Sequence, residues 1–230
     1  MGRMTGLVLL ALTATAVCWG RSGAGGASDG VSVDRENRLI KIDARIAPRK
    51  LPHLKEIYPI EVIACWPHPK GKKAHETVVT IEAKPSAVHK ALVDLGLKPG
   101  TPVMGESKDP PQGPDVSVFL EITGPDGEPR RVSIDKTLVD MKNGKPFPKT
   151  VKWRFTGSVM SQPDPNKSDK VYGADLSGTL IAIFPVTDQT VLQTSLTMEY
   201  EKFLKLETNP NVLPKEGTPV KLVIAVPRAK

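Results

Sequence analysis

Residues 58–103 read YPIEVIACWPHPKGKKAHETVVTIEAKPSAVHKALVDLGLKPGTPV, and this stretch decides the fold. Residues 59–64 and 76–83 are short apolar runs bounded by turn-forming or charged residues, and each predicts a strand. A helix is predicted over about 85–95, because Pro85 suits a first helical turn, apolar residues recur at helical spacing, and Gly96 supplies a C-terminal stop. The two strands and the helix are therefore expected to pack as one unit.

Further strands are predicted on both sides of this unit. They cover residues 38–46, 116–123, 129–134, 150–159, 179–184 and 219–226. The 22 prolines and 19 glycines predict many turns and few long helices. The expected fold class is α+β, with a largely antiparallel or mixed β-sheet, one principal helix (about 85–95) and long Pro- and Gly-rich loops.

The N-terminal residues have the pattern of an export signal. Arg3 precedes an apolar run over 7–17, and small residues follow near position 27, so residues 1–27 are predicted to be a signal peptide. Residues 28–37 are then a polar spacer and residues 38–230 a single domain. The protein is expected to be exported, to the periplasm or outside the cell. Lipidation at Cys18 is the less favoured alternative, because Val17 stands where a small residue is needed.

Charge and cysteine content narrow the classes of partner and cofactor. The formal net charge is +7, but the lysines are scattered among acidic residues and aromatics make up only 5% of the chain. This pattern does not favour nucleic acid, which binds to basic grooves lined with aromatic rings. After signal removal Cys65 is the one remaining cysteine, so neither an internal disulfide nor an iron–sulfur cluster is expected. No later segment is apolar enough to span a membrane.

Several separated motifs resemble those of bacterial YdjY-domain proteins. The resemblance covers about Ile60 to Val220. It rests on IEVIACWP, KAHE at 73–76, PSAVHKALVDLGLKPGTPV, WRFTGS at 153–158, YGAD at 172–175 with Gly178 and Leu180, and GTPV at 217–220. Little chemistry is assigned to this family, so the resemblance implies a fold and a location more than a function. Some relatives are described as ferredoxin-like with additional clustered cysteines, which this chain lacks.

A metal site is the sharpest chemical hypothesis in the central stretch. Cys65, His75, Glu76 and His89 are ligand types for zinc and related divalent ions. Their spacing reproduces no established zinc motif. Two alternatives remain open: the four residues serve the fold, or Cys65 is a reactive thiol with a histidine partner.

A second set of residues forms a candidate ligand groove. Its members are polar or aromatic residues in the motifs quoted above: Trp66, Lys73, Trp153, Ser158, Tyr172 and Asp175. Ser158, His89 and Asp175 also have the residue types of a hydrolase triad, but Ser158 lacks the context of a nucleophile elbow. Asp175, within YGADLSG, is better interpreted as a turn former.

The favoured function is an exported binding or accessory module with a metal or ligand site around Cys65, His75, Glu76 and His89. The alternatives are a metal- or thiol-dependent enzyme outside the cytoplasm that uses the same residues, and a structural surface protein without a ligand. The sequence leaves the ligand, the metal, the partner and the oligomeric state open.

Overall fold

The computed structural model describes Gly2, residues 30–124 and residues 126–228. The predicted signal peptide, which includes Cys18, lies outside this part of the chain apart from Gly2. Within the described ranges no helix has both the length and the apolar character that crossing a bilayer requires.

The described residues are organised mainly as strands. In chain order these are β1 Val31–Asp34, β2 Leu39–Ile46, β3 Val62–Cys65, β4 Thr77–Ile81, β5 Asp115–Thr123, β6 Pro129–Ser133, β7 Leu138–Asp140, β8 Trp153–Phe155, β9 Met160–Ser161, β10 Val171–Tyr172, β11 Thr179–Ala182, β12 Leu192–Thr194, β13 Leu206–Thr208 and β14 Pro219–Ala225. The helices are α1 Pro85–Asp94, α2 Ala174–Ser177, α3 Glu199–Phe203 and a 3-10 turn at Ile134–Thr137.

Eight of the strands close into a barrel. Their order around the ring is β2-β14-β5-β8-β12-β11-β3-β4, and β4 pairs again with β2 to complete it. The neighbours are antiparallel except for β11 with β12 and β3 with β4, which are parallel. The closing contact places Ala44 opposite Ile81 and Ile46 opposite Val79. Closure removes the free sheet edges that an open sheet would expose.

The prediction of an α+β fold with one principal helix is wrong, because the structure is mostly β and built on this eight-stranded barrel. The predicted helix exists as α1, but it has 10 residues and the other two α-helices have 4 and 5. Alternation of apolar and polar residues predicts individual strands, but it does not encode whether the first and last strands of a sheet meet. The closed topology was therefore missed.

The barrel interior is filled with aliphatic side chains. Every second residue of β2 is buried, namely Ile40, Ile42, Ala44 and Ile46, and β5 alternates over residues 115–120. β14 alternates at first and is then buried on both faces from Leu222 to Ile224. This is the expected packing, since an eight-stranded barrel is just wide enough for its own side chains to fill. The barrel interior is therefore a packed hydrophobic core.

Helix α1 covers one side of the barrel. Pro85, Val88, Ala91 and Leu92 form its buried face, and it packs against β1, β2 and α2. The helix ends where Gly96 adopts a positive φ of 89°. This confirms the predicted amphipathic helix and its glycine stop.

Two strands join the barrel from outside. β1 pairs with Leu39–Ile42 of β2, whereas β4 pairs with Ala44–Ile46 of the same strand. In the same manner β5 pairs with β8 near its start and with β6 over Phe119–Thr123. β1 lies within residues 28–37, so part of the predicted polar spacer is a strand of the fold.

Candidate functional site

A compact ion cluster lies just before the first residues of β3 and β4. The Lys73 ammonium donates to Glu61 Oε2 at 2.8 Å and to Glu76 Oε2 at 2.6 Å. His75 Nε2 is 3.1 Å from the other oxygen of Glu76. The parallel register of β3 and β4, with Val62 opposite Thr77, brings the two glutamates together. The cluster therefore joins the loop before β4 to the barrel.

Burial governs the protonation of this cluster. Burial raises the pKa of the Glu61 carboxyl above its usual range, even though Lys73 acts to lower it. Burial also acts to lower the pKa of Lys73, but the hydrogen bonds to both glutamates outweigh it and the pKa is raised. The lysine therefore stays charged between two carboxylates, an arrangement that satisfies all three groups internally.

Arg49 closes the outer side of the cluster. Its Nε donates to Glu207 Oε1 at 2.6 Å, and its Nη1 donates to the His75 carbonyl at 3.2 Å. Its Nη2 donates to the Tyr58 carbonyl at 2.5 Å. The Tyr58 ring meets the His75 ring edge-on, with centroids 5.2 Å apart. These contacts fix the backbone on which His75 sits.

Cys65 is buried at the end of β3. Its thiol lies 3.2 Å from the Trp66 carbonyl, which it can serve as a weak donor. Burial raises the pKa of the thiol to about 12. Because the thiolate is the form that attacks or ligates, this environment does not produce an activated cysteine.

His89 projects from α1 into a different environment. Its Nδ1 is 2.7 Å from the Tyr172 hydroxyl, and its ring meets Phe155 edge-on with centroids 5.0 Å apart. Burial lowers the pKa of His89, so the neutral imidazole is favoured. Burial, with a smaller contribution from Asp175, raises the pKa of Tyr172 above its usual value. A neutral pair of this kind packs as an aromatic contact with one polar bond.

The triad residue types come near each other but in another arrangement. Asp175 accepts the Ser86 amide at 2.9 Å and the Ser86 hydroxyl, and so satisfies a backbone donor in the first turn of α1. The Ser158 hydroxyl accepts the Ala174 amide at 3.0 Å and thereby anchors α2. His89 bonds to Tyr172 rather than to either of them. The arrangement is structural and differs from a serine hydrolase triad.

The four predicted metal ligands are therefore distributed over two places. His75 and Glu76 touch, and Cys65 lies near enough for the Glu76 charge to act on its pKa, but His89 is engaged with Tyr172. Across residues 30–124 and 126–228 no three His, Cys, Asp or Glu side chains converge in a way that could hold a metal ion.

The remaining predicted groove residues pack into the fold. Trp66 donates its indole N–H to the Ala83 carbonyl at 2.9 Å and lies against Gly178, where a Cβ would come within 2.9 Å of it. Trp153 is buried in the core near Phe147. Ser158, Tyr172 and Asp175 gather beside α2, with Trp66 at its C-terminal end, whereas Lys73 belongs to the ion cluster.

A large groove opens elsewhere, on residues that the sequence interpretation did not select. It has a volume of about 920 Å³ and crosses β4, β2, β14 and β5. Its exposed apolar part is formed by Ile122, Pro129 and Pro219, whereas Ala44, Ala83 and Val220 reach the lining as nearly buried residues. Its charged side chains are Asp43, Arg45, Glu82, Lys84, Glu121 and Lys221. Trp66 supports one wall through its bond to Ala83.

Part of the groove charge is already paired. Asp43, Lys221 and Glu121 lie side by side on adjacent strands, and Lys221 forms an ion pair with Asp43. Burial acts to raise the pKa of Glu121, but hydrogen bonds from Arg131 and Lys41 hold it below its usual value. Among the described residues Arg45, Glu82 and Lys84 form no ion pair, and Arg45 donates only to the Gly217 carbonyl at 3.3 Å.

The comparison with protein families bears on the whole barrel. The YdjY domain family matches residues 31–225, which is most of the chain. The chain belongs to the YdjY domain family. No curated protein and no solved structure matches it significantly. The match confirms the resemblance carried by the sequence motifs, and it extends to β1 and to the end of β14, so the strands that line the groove are part of the YdjY domain.

One signal in the sequence pointed to the groove of this YdjY domain. The segment RLIKIDARI alternates apolar with charged residues, and its charged members face away from the barrel interior. The strand PVKLVIA carries Lys221 in the same phase. The order of strands in the barrel decides which charged faces become neighbours, and neither segment predicts that order.

Proposed function

We propose that this YdjY domain is an exported binding module and that its ligand site is the groove across β4, β2, β14 and β5. The observation that carries the proposal is the groove itself. A volume of about 920 Å³ lies within the range typical of ligand-binding clefts. The lining combines an apolar surface with charged groups that are not all neutralised by neighbours.

The alternative of a thiol- or metal-dependent enzyme receives less support from the geometry. It requires an activated thiol or a set of converging ligands. Cys65 is buried with a raised pKa, and His89 is separated from His75 and Glu76 by its bond to Tyr172. Neither observation favours these residues as a reaction centre, whereas the groove offers charged groups that form no ion pair among the described residues.

The alternative of a structural protein without a ligand makes a different prediction for the groove. Under it, the unpaired groups Arg45, Glu82 and Lys84 would be ordinary solvated side chains. Under the binding proposal they contribute to affinity.

Nuclear magnetic resonance titration tests the proposal. The chain starting at Ser28, labelled with nitrogen-15, is titrated separately with short peptides, neutral oligosaccharides, acidic oligosaccharides and phosphorylated headgroups. We expect at least one class to give saturable shifts in the amides of the groove strands. Thr123→Trp, which places an indole in the groove, should abolish them. Ser32→Trp, which replaces another exposed strand hydroxyl outside the groove, should not. The absence of saturable shifts for every class at millimolar concentration would refute the proposal.

Export is part of the proposal and has its own test. The apolar run at 7–17 after Arg3 and the small residues near position 27 support it. Intact mass measurement on protein from the extracytoplasmic fraction should give a chain beginning between residues 25 and 28. A full-length chain confined to the cytoplasm would refute export. A mass that corresponds to a lipidated Cys18 would replace signal-peptide cleavage near residue 27 with the lipoprotein alternative.

A further inference from the structure

We infer that the groove binds an extended peptide segment that carries both acidic and basic side chains; this inference rests on the proposed function and specifies its ligand. Three features of the groove lead to it: its length across the strands, its balanced charge and its supply of uncommitted hydrogen-bonding groups.

The length of the groove suits a short extended chain. The groove crosses four adjacent strands, from β4 through β2 and β14 to β5. Adjacent strands lie about 4.8 Å apart, so the crossing spans roughly 14 Å, and an extended peptide advances about 3.4 Å per residue. Four or five residues of a peptide would therefore fill it.

The charge of the groove selects against polymers of one sign. Asp43, Glu82 and Glu121 are balanced by Arg45, Lys84 and Lys221, and the two signs alternate across the strands at Asp43, Lys221 and Glu121. A polyanion would have three carboxylates in its path, and a polycation three basic groups. A chain with charges of both signs can place its side chains opposite Arg45, Glu82 and Lys84 and along the Asp43–Lys221 ion pair.

The groove also offers groups suited to a peptide backbone. The hydroxyls of Thr80 and Thr123 line it, and each can both donate and accept. Ile122, Pro129 and Pro219 add apolar surface beside the charged groups. In the described part of the lining there is no aromatic ring on which a nucleic-acid base could stack.

The strands separate at both ends of the groove. β14 and β5 pair only as far as Lys221 opposite Glu121, beyond which β5 continues beside β6 and β14 beside β2. At the other end the edge of β2 is divided between β1 and β4 at Asp43. The groove is thus a depression between two points where the sheet divides, and such a depression leaves room for another chain.

A selection experiment tests the inference. A random heptapeptide library is selected on the immobilised chain starting at Ser28, and enriched peptides are made with a fluorescent label and measured by anisotropy. The groove variant is the double exchange Asp43→Lys with Lys221→Asp, which retains an ion pair in reversed order. The matched control is Lys90→Asp with Asp94→Lys, an exposed pair on α1 outside the groove.

We expect enrichment of heptapeptides with both charge signs, and an affinity that falls about tenfold in the groove variant and is unchanged in the control. Enrichment of peptides of a single sign, or equal affinity for both variants, would overturn the inference. A labelled heparin tetrasaccharide and a neutral glucan hexasaccharide are measured in parallel. Groove binding of either sugar without any peptide would overturn the peptide inference and leave the proposed function standing, whereas no binding by any probe would refute both.

Discussion

The ion cluster at Lys73 allows a quantitative test of the structure. The Lys73 side chain is 29% exposed, and its partners Glu61 and Glu76 are 20% and 9% exposed. Replacing Lys73 with Met keeps most of the aliphatic stem and removes the charge, which leaves two carboxylates facing each other in a poorly solvated place. Removing one partner of a fully buried ion pair costs about 3–5 kcal/mol, and we expect about 2–3 kcal/mol here because the cluster is partly exposed.

The loss of stability caused by Lys73→Met should depend on pH, and the structure predicts the direction of this dependence. Burial already raises the pKa of Glu61, and without Lys73 this pKa rises further because the lysine acts to lower it. Because the pKa of Glu61 is higher in the folded state than in the unfolded state, the folded chain binds more protons at pH values between the two pKa values. The destabilisation of Lys73→Met is therefore full at pH 7.5 and decreases as the pH falls through the raised pKa of Glu61.

Urea unfolding followed by circular dichroism at pH 7.5 and pH 5.0 measures both effects. The triple variant Glu61→Gln, Lys73→Met, Glu76→Gln removes all three charges and should recover stability to within about 1 kcal/mol of the unmodified chain. Lys90→Met is the control, since its exposed pair with Asp94 should contribute less than about 0.5 kcal/mol. A Lys73→Met penalty no larger than that of Lys90→Met, or equal at the two pH values, would refute the reasoning.

Three further predictions concern other parts of the structure. Cys65 should react with a thiol reagent at neutral pH only as fast as the chain unfolds, because burial raises the pKa of its thiol to about 12; rapid stoichiometric labelling of the native chain would contradict this. Gly178→Ala should destabilise the chain by about 1–3 kcal/mol in urea unfolding, because φ at this position is +70° and the new methyl would lie 2.9 Å from Trp66. An unchanged unfolding midpoint would contradict this prediction. Because burial lowers the pKa of His89, its contribution to stability is full above pH 6.5 and is lost as the pH falls below that value. His89→Gln can keep the bond to Tyr172, so this variant should lose less stability than the unmodified chain between pH 7.5 and 5.5. An identical loss in the two chains would contradict the assignment.

The sequence predicted local structure well where a single segment contains the whole signal. The alternation in RLIKIDARI predicted β2, and the spacing of Val88, Ala91 and Leu92 with Gly96 predicted α1. Both signals are local, because burial of one face repeats every two residues in a strand and every three to four in a helix. Closure of the barrel depends on contacts such as Ala44 with Ile81 and Thr179 with Cys65, which join distant segments, and no periodicity reports them.

The candidate site shows the same division. Lys73 and Glu76 are three residues apart, so their contact is nearly local, but Glu61 joins them only through the parallel pairing of β3 with β4. His89 lies on the predicted helix α1, but its partner Tyr172 is 83 residues away. Residue type alone selected the cysteine and the histidines as site candidates. The charged residues of the groove could not be selected in this way, because they become neighbours only through the order of the strands.

The position of the groove follows from the way the barrel closes. The interior of the eight-stranded ring is filled with aliphatic side chains, and the groove lies on its outer surface. A uniform outer surface of paired strands offers little concavity, and concavity arises where a strand leaves the ring. β2 shares one edge between β1 and β4, with the division at Asp43, and β14 and β5 part beyond Lys221 and Glu121. β14 pairs with β2 on its other edge, and the groove lies over these two divisions.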